Sequence, residues 1–67
     1  MIRFKNAGRQ LKIIEIKGSW AILENIENTE YLVVFGLSNK YEEWHWENGY
    51  YNHSRMSARE LFNKKVG

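Results

Sequence analysis

The side chains best suited to acid–base chemistry lie in the stretch EEWHWENGYYNHSR, residues 42–55. His45 stands between Glu43 and Glu47, and an imidazole beside a carboxylate can transfer a proton near neutral pH. His53 falls on the opposite face of the hairpin that this stretch predicts, so the two imidazoles cannot hold a metal ion without a third element. The sequence contains no phosphate-binding glycine loop, HExxH, CxxC or nucleophile elbow. We therefore predict a protein without enzymatic activity, cofactor or metal site.

The same stretch is rich in aromatic side chains, which suit a docking surface better than catalysis. The chain has three tryptophans, four tyrosines and three phenylalanines in only 67 residues, and so small a domain has a thin core. Some of these rings should therefore stay exposed, and clustered exposed aromatics usually mark an interface. The sequence predicts a protein-binding site made of Tyr41, Glu43, His45, Glu47, Tyr50, Trp44 and Trp46.

Asn48-Gly49 predicts a type I′ turn, because both residues tolerate the positive φ angles of that turn. The resulting hairpin would place Trp46 opposite Tyr51. Its first face would carry Trp44, Trp46, Tyr51 and His53, and its second face Glu43, His45, Glu47, Tyr50 and Asn52. Two interpretations stay open: the tryptophan face is core and the other face is solvated, or the tryptophans themselves are the docking surface. Glu42, Glu43 and Glu47 would give the patch an acidic rim.

Alternating and apolar runs in the first 40 residues predict strands that would carry this hairpin. The period of LKIIEIK slips between Ile13 and Ile14, which predicts a β-bulge. Gly18 followed by serine predicts a two-residue type II′ hairpin. YLVVFGL, residues 31–37, is the most apolar run and predicts the central strand, with a bend or close approach at Gly36. SNK, residues 38–40, predicts the next turn.

MSARELFNKKVG predicts a C-terminal helix with signals at both ends. Ser57 suits the N-cap and Glu60 completes a capping box, while Gly67 suits the position after the last turn. An apolar stripe of Ala58, Leu61, Phe62 and Val66 would pack this helix on the sheet. The predicted fold is α+β, an antiparallel β-meander of about five strands with one short C-terminal α-helix packed on the sheet. We expect a single domain, 1–67, with strands within 1–53 and the helix at about 58–66.

Basic residues concentrate at the two ends of the chain, which allows a nucleic-acid-binding alternative. Such binding needs lysine and arginine near phosphates and aromatic rings near bases. The densest aromatics are interleaved with glutamates, and we expect few aromatic rings beside the basic residues. This alternative site consists of Arg3, Lys5, Arg9, Lys12, Arg55, Arg59, Lys64 and Lys65.

The absence of cysteine fits a reducing compartment, and MIRFKNAGRQ lacks the apolar segment of a secretory signal. No apolar run approaches the roughly 20 residues that span a bilayer, so we expect no membrane association. The unguarded strand RQLKIIEIK or the aromatic hairpin could pair with its counterpart in a homodimer.

The order of strand, turn, WAILENIENTEYLVVFGLSNK, aromatic hairpin and capped helix resembles that of small orphan proteins of phages and mobile elements of low-GC Gram-positive bacteria. The resemblance rests on the Ile, Asn, Lys and Glu texture and on YLVVFGL…GYY before a short helix, and it carries over no functional residue. It implies stoichiometric inhibitors of host defence or host enzymes, including anti-CRISPR-like proteins, and small regulators. We therefore expect a non-enzymatic binding protein that masks a surface of a protein partner in the cytoplasm of a bacterial host cell.

Overall fold

The computed structural model describes residues 2–41 and 43–67, apart from the side chain of Asn52. The elements follow in the order β1 (Arg3–Asn6), β2 (Arg9–Lys17), β3 (Trp20–Asn25), β4 (Glu30–Phe35), β5 (Ser38–Lys40), β6 (Glu43–His45), β7 (Asn48–His53) and α1 (Arg55–Val66). Five strands form an antiparallel sheet in the order β1-β2-β3-β4-β7, and β5 pairs with β6 in a separate ribbon. The predicted α+β fold, a five-strand antiparallel sheet with a C-terminal helix packed on it, is confirmed.

Both faces of the central strands are buried, which explains why their sequences are apolar without a clean alternation. On one face, here called the helix face, Ile22 and Val33 pack against Ala58 and Phe62 of α1. The opposite face, here called the ribbon face, is covered by Phe4, Leu37, Trp44 and Trp46. Its buried residues are Leu11, Ile13, Ala21, Leu23, Leu32 and Val34. The sheet is therefore the middle layer between the helix and the β5–β6 ribbon.

Three local predictions in the first half of the chain are confirmed. Lys17 pairs with Trp20 across a two-residue turn, in which Gly18 has a φ of +61°. The register between β2 and β3 shifts between Ile13 and Glu15, which is the β-bulge predicted from the break in apolar alternation at this point. Gly36 follows the last residue of β4 with a φ of +76°, so the bend expected there is present.

Gly36 also permits a close approach by a glutamate. A Cβ at this position would lie 2.5 Å from Oε2 of Glu47, whereas a Cβ on Gly18 would meet nothing within 4 Å. Glycine is therefore favoured at residue 36 for two reasons: the backbone has a positive φ, and the Glu47 carboxylate leaves no room for a Cβ.

We expect Gly18→Ala to lower the free energy of unfolding by about 1–2 kcal/mol, since alanine must then adopt a left-handed conformation. Gly36→Ala should lower it by about 1 kcal/mol more, because the added methyl group also displaces the Glu47 side chain. Urea unfolding of both variants measures the difference. In the double variant Gly36→Ala/Glu47→Ala, the additional loss of stability relative to Gly18→Ala should disappear. An equal loss of stability in Gly18→Ala and Gly36→Ala would contradict the close approach of Glu47 to residue 36.

The hairpin predicted at Asn48-Gly49 is wrong. Both residues lie inside β7, where Gly49 pairs with Val34 of β4, and β6 pairs with β5 instead. The glycine is used for space: a Cβ there would lie 2.8 Å from the Tyr51 hydroxyl oxygen and 3.2 Å from Nε1 of Trp46. The glycine of this Asn-Gly pair therefore leaves room for the Tyr51 ring, and the chain reverses between β5 and β6 instead.

The predictions for residues 31–40 need two corrections. SNK is strand β5 and not a turn, because Ser38 pairs with His45 and Lys40 with Glu43. The chain reverses after Lys40, where Tyr41 adopts a φ of +55°. The apolar run at 31–37 is predicted to be the central strand, but it forms most of β4, an interior strand beside the centre. The central strand of the sheet is β3.

The helix begins one turn earlier than predicted. Ser54 is the N-cap, and its side chain accepts a hydrogen bond from the Ser57 backbone N–H at 3.2 Å. Ser57 is therefore inside the first turn, so the predicted capping box with Glu60 does not form there. The predicted end is confirmed, because the Gly67 N–H donates to the Asn63 carbonyl oxygen at 2.8 Å.

Within the part of the chain that the structure describes, no helix is long and apolar enough to cross a membrane.

Candidate functional site

Strand β7 presents two neighbouring tyrosines, Tyr50 and Tyr51, to opposite faces of the sheet. Val33 pairs with Tyr50, but Tyr31 pairs with His53, so β7 holds one residue more than β4 over this span. The bulge keeps Tyr50 and His53 on the helix face and turns Tyr51 to the ribbon face. Both tyrosines are 41% exposed, whereas the buried core is almost entirely aliphatic.

On the helix face, Tyr50 belongs to an aromatic cluster at the C-terminal end of α1. Its ring lies 6.4 Å from that of Trp20, centroid to centroid, with an angle of 24° between the planes. Phe35 meets the Trp20 ring edge-on, with their centroids 5.0 Å apart. The Lys65 ammonium lies 5.2 Å from the Tyr50 centroid and 5.5 Å from the Trp20 centroid, within cation–π distance of both.

On the ribbon face, Tyr51 joins a second cluster. Its hydroxyl oxygen accepts a hydrogen bond from Nε1 of Trp46 at 2.7 Å, and its ring lies across Gly49. The Arg9 guanidinium carbon lies 5.4 Å from the Tyr51 centroid. Each edge tyrosine therefore has one half-buried tryptophan and one cation beside it. We call these six residues the β7 edge surface: Arg9, Trp20, Trp46, Tyr50, Tyr51 and Lys65.

The charge of this surface differs from the predicted one. The sequence predicts an acidic rim around the tyrosines and few aromatics near the basic residues, yet Arg9 and Lys65 stand directly over the rings. The tertiary fold brings each cation from a distant part of the chain, β2 for Arg9 and α1 for Lys65. The expectation that basic residues have few aromatic neighbours is wrong at these two positions.

The two tryptophans of the predicted partner site cover the core. Trp44 is half-buried and stacks on Phe4 with centroids 5.3 Å apart, and its carbonyl oxygen accepts a hydrogen bond from Asn6 Nδ2 at 3.0 Å. Trp46 is also half-buried and packs against the ribbon-face core. Of the two interpretations of the tryptophans, this arrangement favours core, with both indoles still partly exposed.

The other predicted partner-binding residues do not form one patch with Tyr50. Tyr41 is 97% exposed at the tip of the ribbon. Glu43 and His45 are exposed on β6, with 3.5 Å between Oε2 and Nε2. Glu47 lies over Gly36, while Tyr50 lies on the helix face. Glu42 of the predicted acidic rim, and the side chain of Asn52 predicted opposite His45, lie outside the described residues.

The two histidines lie on different elements and do not share a site. His45 is on β6, and Nδ1 of His53 lies 2.9 Å from the Ser57 hydroxyl oxygen at the start of α1. Over residues 2–41 and 43–67, no group of three histidine, cysteine, aspartate or glutamate side chains is placed to hold a metal ion.

The basic residues predicted to bind nucleic acid are spread over several parts of the fold, and two of them are paired with glutamates. Arg59 Nη1 lies 2.7 Å from Glu15 Oε1, and Lys12 Nζ lies 3.9 Å from Glu24 Oε1. Lys12, Arg59 and Arg55 border one groove of about 820 Å³ on the helix face, which Glu24 and Glu60 also line. Arg3 and Lys5 are exposed on β1, Lys64 is exposed on α1, and Arg9 and Lys65 belong to the β7 edge surface.

Sequence reasoning missed Trp20 and Tyr51 as parts of the candidate site, and it placed Arg9 and Lys65 only in the alternative one. Trp20 could have been found by counting back from the turn at 26–29, which places it opposite Phe35. The positions of Arg9 and Lys65 depend on contacts between distant segments, for which the local sequence carries no signal.

Comparison of the chain with protein-family models, with curated proteins and with solved structures found no match.

Proposed function

We propose that this chain is a small non-enzymatic binding protein that masks a surface of a protein partner, with the β7 edge surface as its docking site. The observation that carries the proposal is the pair of neighbouring edge tyrosines, each 41% exposed, with Lys65 over one and Arg9 over the other. Tyrosine, tryptophan and arginine are the residue types that most often dominate the free energy of protein–protein binding. Five of the six side chains of the β7 edge surface are of these types, and together with Lys65 they supply rigid aromatic anchors and charged groups that select the partner.

The candidate acid–base residues support a non-enzymatic role. His45 and Glu43 are exposed on the ribbon, and neither lines the helix-face groove that Lys12, Arg55 and Arg59 border. General acid–base catalysis needs the catalytic group within hydrogen-bond distance of a substrate that a pocket holds in place. With the resemblance to phage and mobile-element orphan proteins, we place this binding in a bacterial host cytoplasm, as inhibition of a host-defence protein or host enzyme of the anti-CRISPR-like kind.

A second candidate function is the binding of single-stranded nucleic acid at the same rings. Lys65 lies beside both Trp20 and Tyr50, so a base stacked on either ring would have a cation near its phosphate. In this alternative the remaining basic residues near the termini contribute long-range attraction, which salt would weaken steeply.

The proposal predicts that Tyr50→Ala and Tyr51→Ala each weaken the partner complex at least about tenfold, which corresponds to about 1.4 kcal/mol. Both rings are partly exposed, so the melting temperature should fall by only a few degrees. Affinity capture from a bacterial lysate, followed by quantitative mass spectrometry, compares the partner recovered by each variant with that recovered by the wild-type chain.

Tyr41→Ala is the matched control, because Tyr41 is the most exposed tyrosine and lies on the ribbon, away from β7. Recovery should be unchanged in this control. Loss of the partner with Tyr41→Ala, and retention with both β7 variants, would move the docking site to the ribbon tip with Glu43 and His45. Nuclease-sensitive recovery of nucleic acid, with no protein partner at low salt, would favour the second candidate.

A further inference from the structure

Strand β7 forms one end of the five-strand sheet, so backbone N–H and C=O groups on its outer side point away from β4, although the bulge between Tyr50 and His53 interrupts their regular alternation. Its sequence, NGYYNH, contains no proline, lysine or glutamate, the residues that usually protect an edge from pairing with another strand. The opposite end of the sheet is approached by the ribbon, since Asn6 of β1 donates to the Trp44 carbonyl oxygen. The two ends of the sheet therefore differ, and β7 offers the more open one.

The side chains around β7 would meet both faces of an added strand. Successive residues of a strand point to opposite faces. One residue of an incoming strand would therefore lie beside Tyr50 and Lys65 on the helix face, and the next would lie beside Tyr51 and Arg9 on the ribbon face. Each of these places combines an aromatic ring with a cation. Neighbouring acidic side chains on the incoming strand would complement both.

We infer that β7 accepts an extended acidic segment of a protein partner, which adds a sixth strand to the sheet and places two adjacent carboxylates against Lys65 and Arg9. This inference rests on the proposed function and names the chemistry of the partner segment. Main-chain hydrogen bonds along the edge give affinity in this mode of recognition, and side chains at alternating positions give specificity.

The geometry favours an acidic strand over a nucleic-acid strand. A sugar–phosphate backbone follows cations that lie along one groove. Here Lys65 lies over Tyr50 on the helix face and Arg9 lies over Tyr51 on the ribbon face, so the two cations do not follow one groove. The exposed backbone N–H and C=O groups of that edge match another peptide backbone, whose donors and acceptors repeat at the same spacing.

A capped octapeptide with two adjacent glutamates at its centre, flanked by threonine and valine, provides the probe. Its binding to the full chain can be followed by NMR through the backbone amides of β7, and the affinity by titration. We expect the Asn48–His53 amides to shift and to become protected from hydrogen exchange. Replacing both glutamates of the probe with glutamine, or N-methylating alternate backbone nitrogens, should weaken binding at least about tenfold.

Charge reversal on the protein gives the matched comparison. Lys65→Glu and Arg9→Glu should each weaken binding of the acidic probe. Each should also improve binding of a probe that has lysine at the facing position. Lys40→Glu is the control, since Lys40 is exposed at the end of β5 on the ribbon and is not part of the β7 edge surface. It removes the same net charge, so an equal loss in this control would show that only overall charge matters and would overturn the inference.

Other results separate this inference from the proposed function. Equal affinity of the N-methylated probe would show that no strand is added, while Tyr50 and Tyr51 could still dock a folded partner. Concentration-dependent self-association with protection of the β7 amides would make a second copy of this chain the occupant. Binding of a single-stranded oligonucleotide, without binding of the peptide, would identify nucleic acid instead. Each of these three results overturns the acidic-strand inference, and only the last also opposes the proposed function.

Discussion

Phe62→Ala is expected to lower the free energy of unfolding by about 3–5 kcal/mol, the range typical of removing a buried phenylalanine ring. Phe62 is 0% exposed and packs with Ile22 and Val33 where α1 meets the sheet. The expected loss is comparable with the whole stability of a domain of this size, roughly 0.05–0.15 kcal/mol per residue. Urea unfolding followed by circular dichroism should show a chain that is largely unfolded at 25 °C.

Met56→Ala is the control for this change, since Met56 lies on the same helix and is 74% exposed. Its effect should stay within about 0.5 kcal/mol, as for most surface substitutions. A loss below about 1 kcal/mol for Phe62→Ala would contradict the packing of α1 on the sheet. Because α1 also carries Lys65 to the β7 edge surface, loosening the helix should weaken partner binding as well.

Trp44→Ala is expected to lower the free energy of unfolding by about 2–4 kcal/mol, somewhat less than for a fully buried tryptophan because the side chain is only partly buried. The indole stacks on Phe4 and packs against the ribbon-face core that includes Leu11 and Leu23. Its removal would uncover that core and detach the ribbon from β1. Thermal and urea unfolding of the variant measure the loss.

Tyr41→Ala serves as the control on the same ribbon, because its 97% exposed side chain covers no core. Its stability should stay close to that of the wild-type chain. An equal effect of the two substitutions would mean that the ribbon does not cover the sheet. A stable Trp44→Ala variant that loses its partner would instead make the tryptophan a docking residue, the interpretation that its half-buried position disfavours.

The sequence by itself determined the features that depend on a few neighbouring residues. The hairpin at Gly18, the bulge after Ile13, the bend at Gly36 and the helix end at Gly67 all follow from backbone angles or apolar periods within a short window. The strand-rich first half and the apolar stripe of Ala58 and Phe62 likewise carried enough signal for the fold class.

Only the tertiary structure decided which strands pair after Phe35. Asn48-Gly49 tolerates the positive φ angles of a turn, yet both residues are extended in β7, which pairs with β4. The ribbon returns over the sheet, where Trp44 and Trp46 cover apolar residues. Covering the second face of the sheet removes far more apolar area from water than a tight turn contributes through its own backbone preference. Ser54 as the N-cap follows from the same choice, because β7 ends at His53.

The charge of the candidate site was decided in the same way. Periodicity places Tyr50 and Tyr51 on opposite faces of a strand, as the sequence predicts, and it also identifies the glutamates near them. The cations over the two rings come from Arg9 and Lys65, which are distant in sequence from β7 and reach it only through the sheet order and the packing of α1. Local sequence therefore determines which side chains a strand presents, whereas long-range packing determines the charged groups beside them.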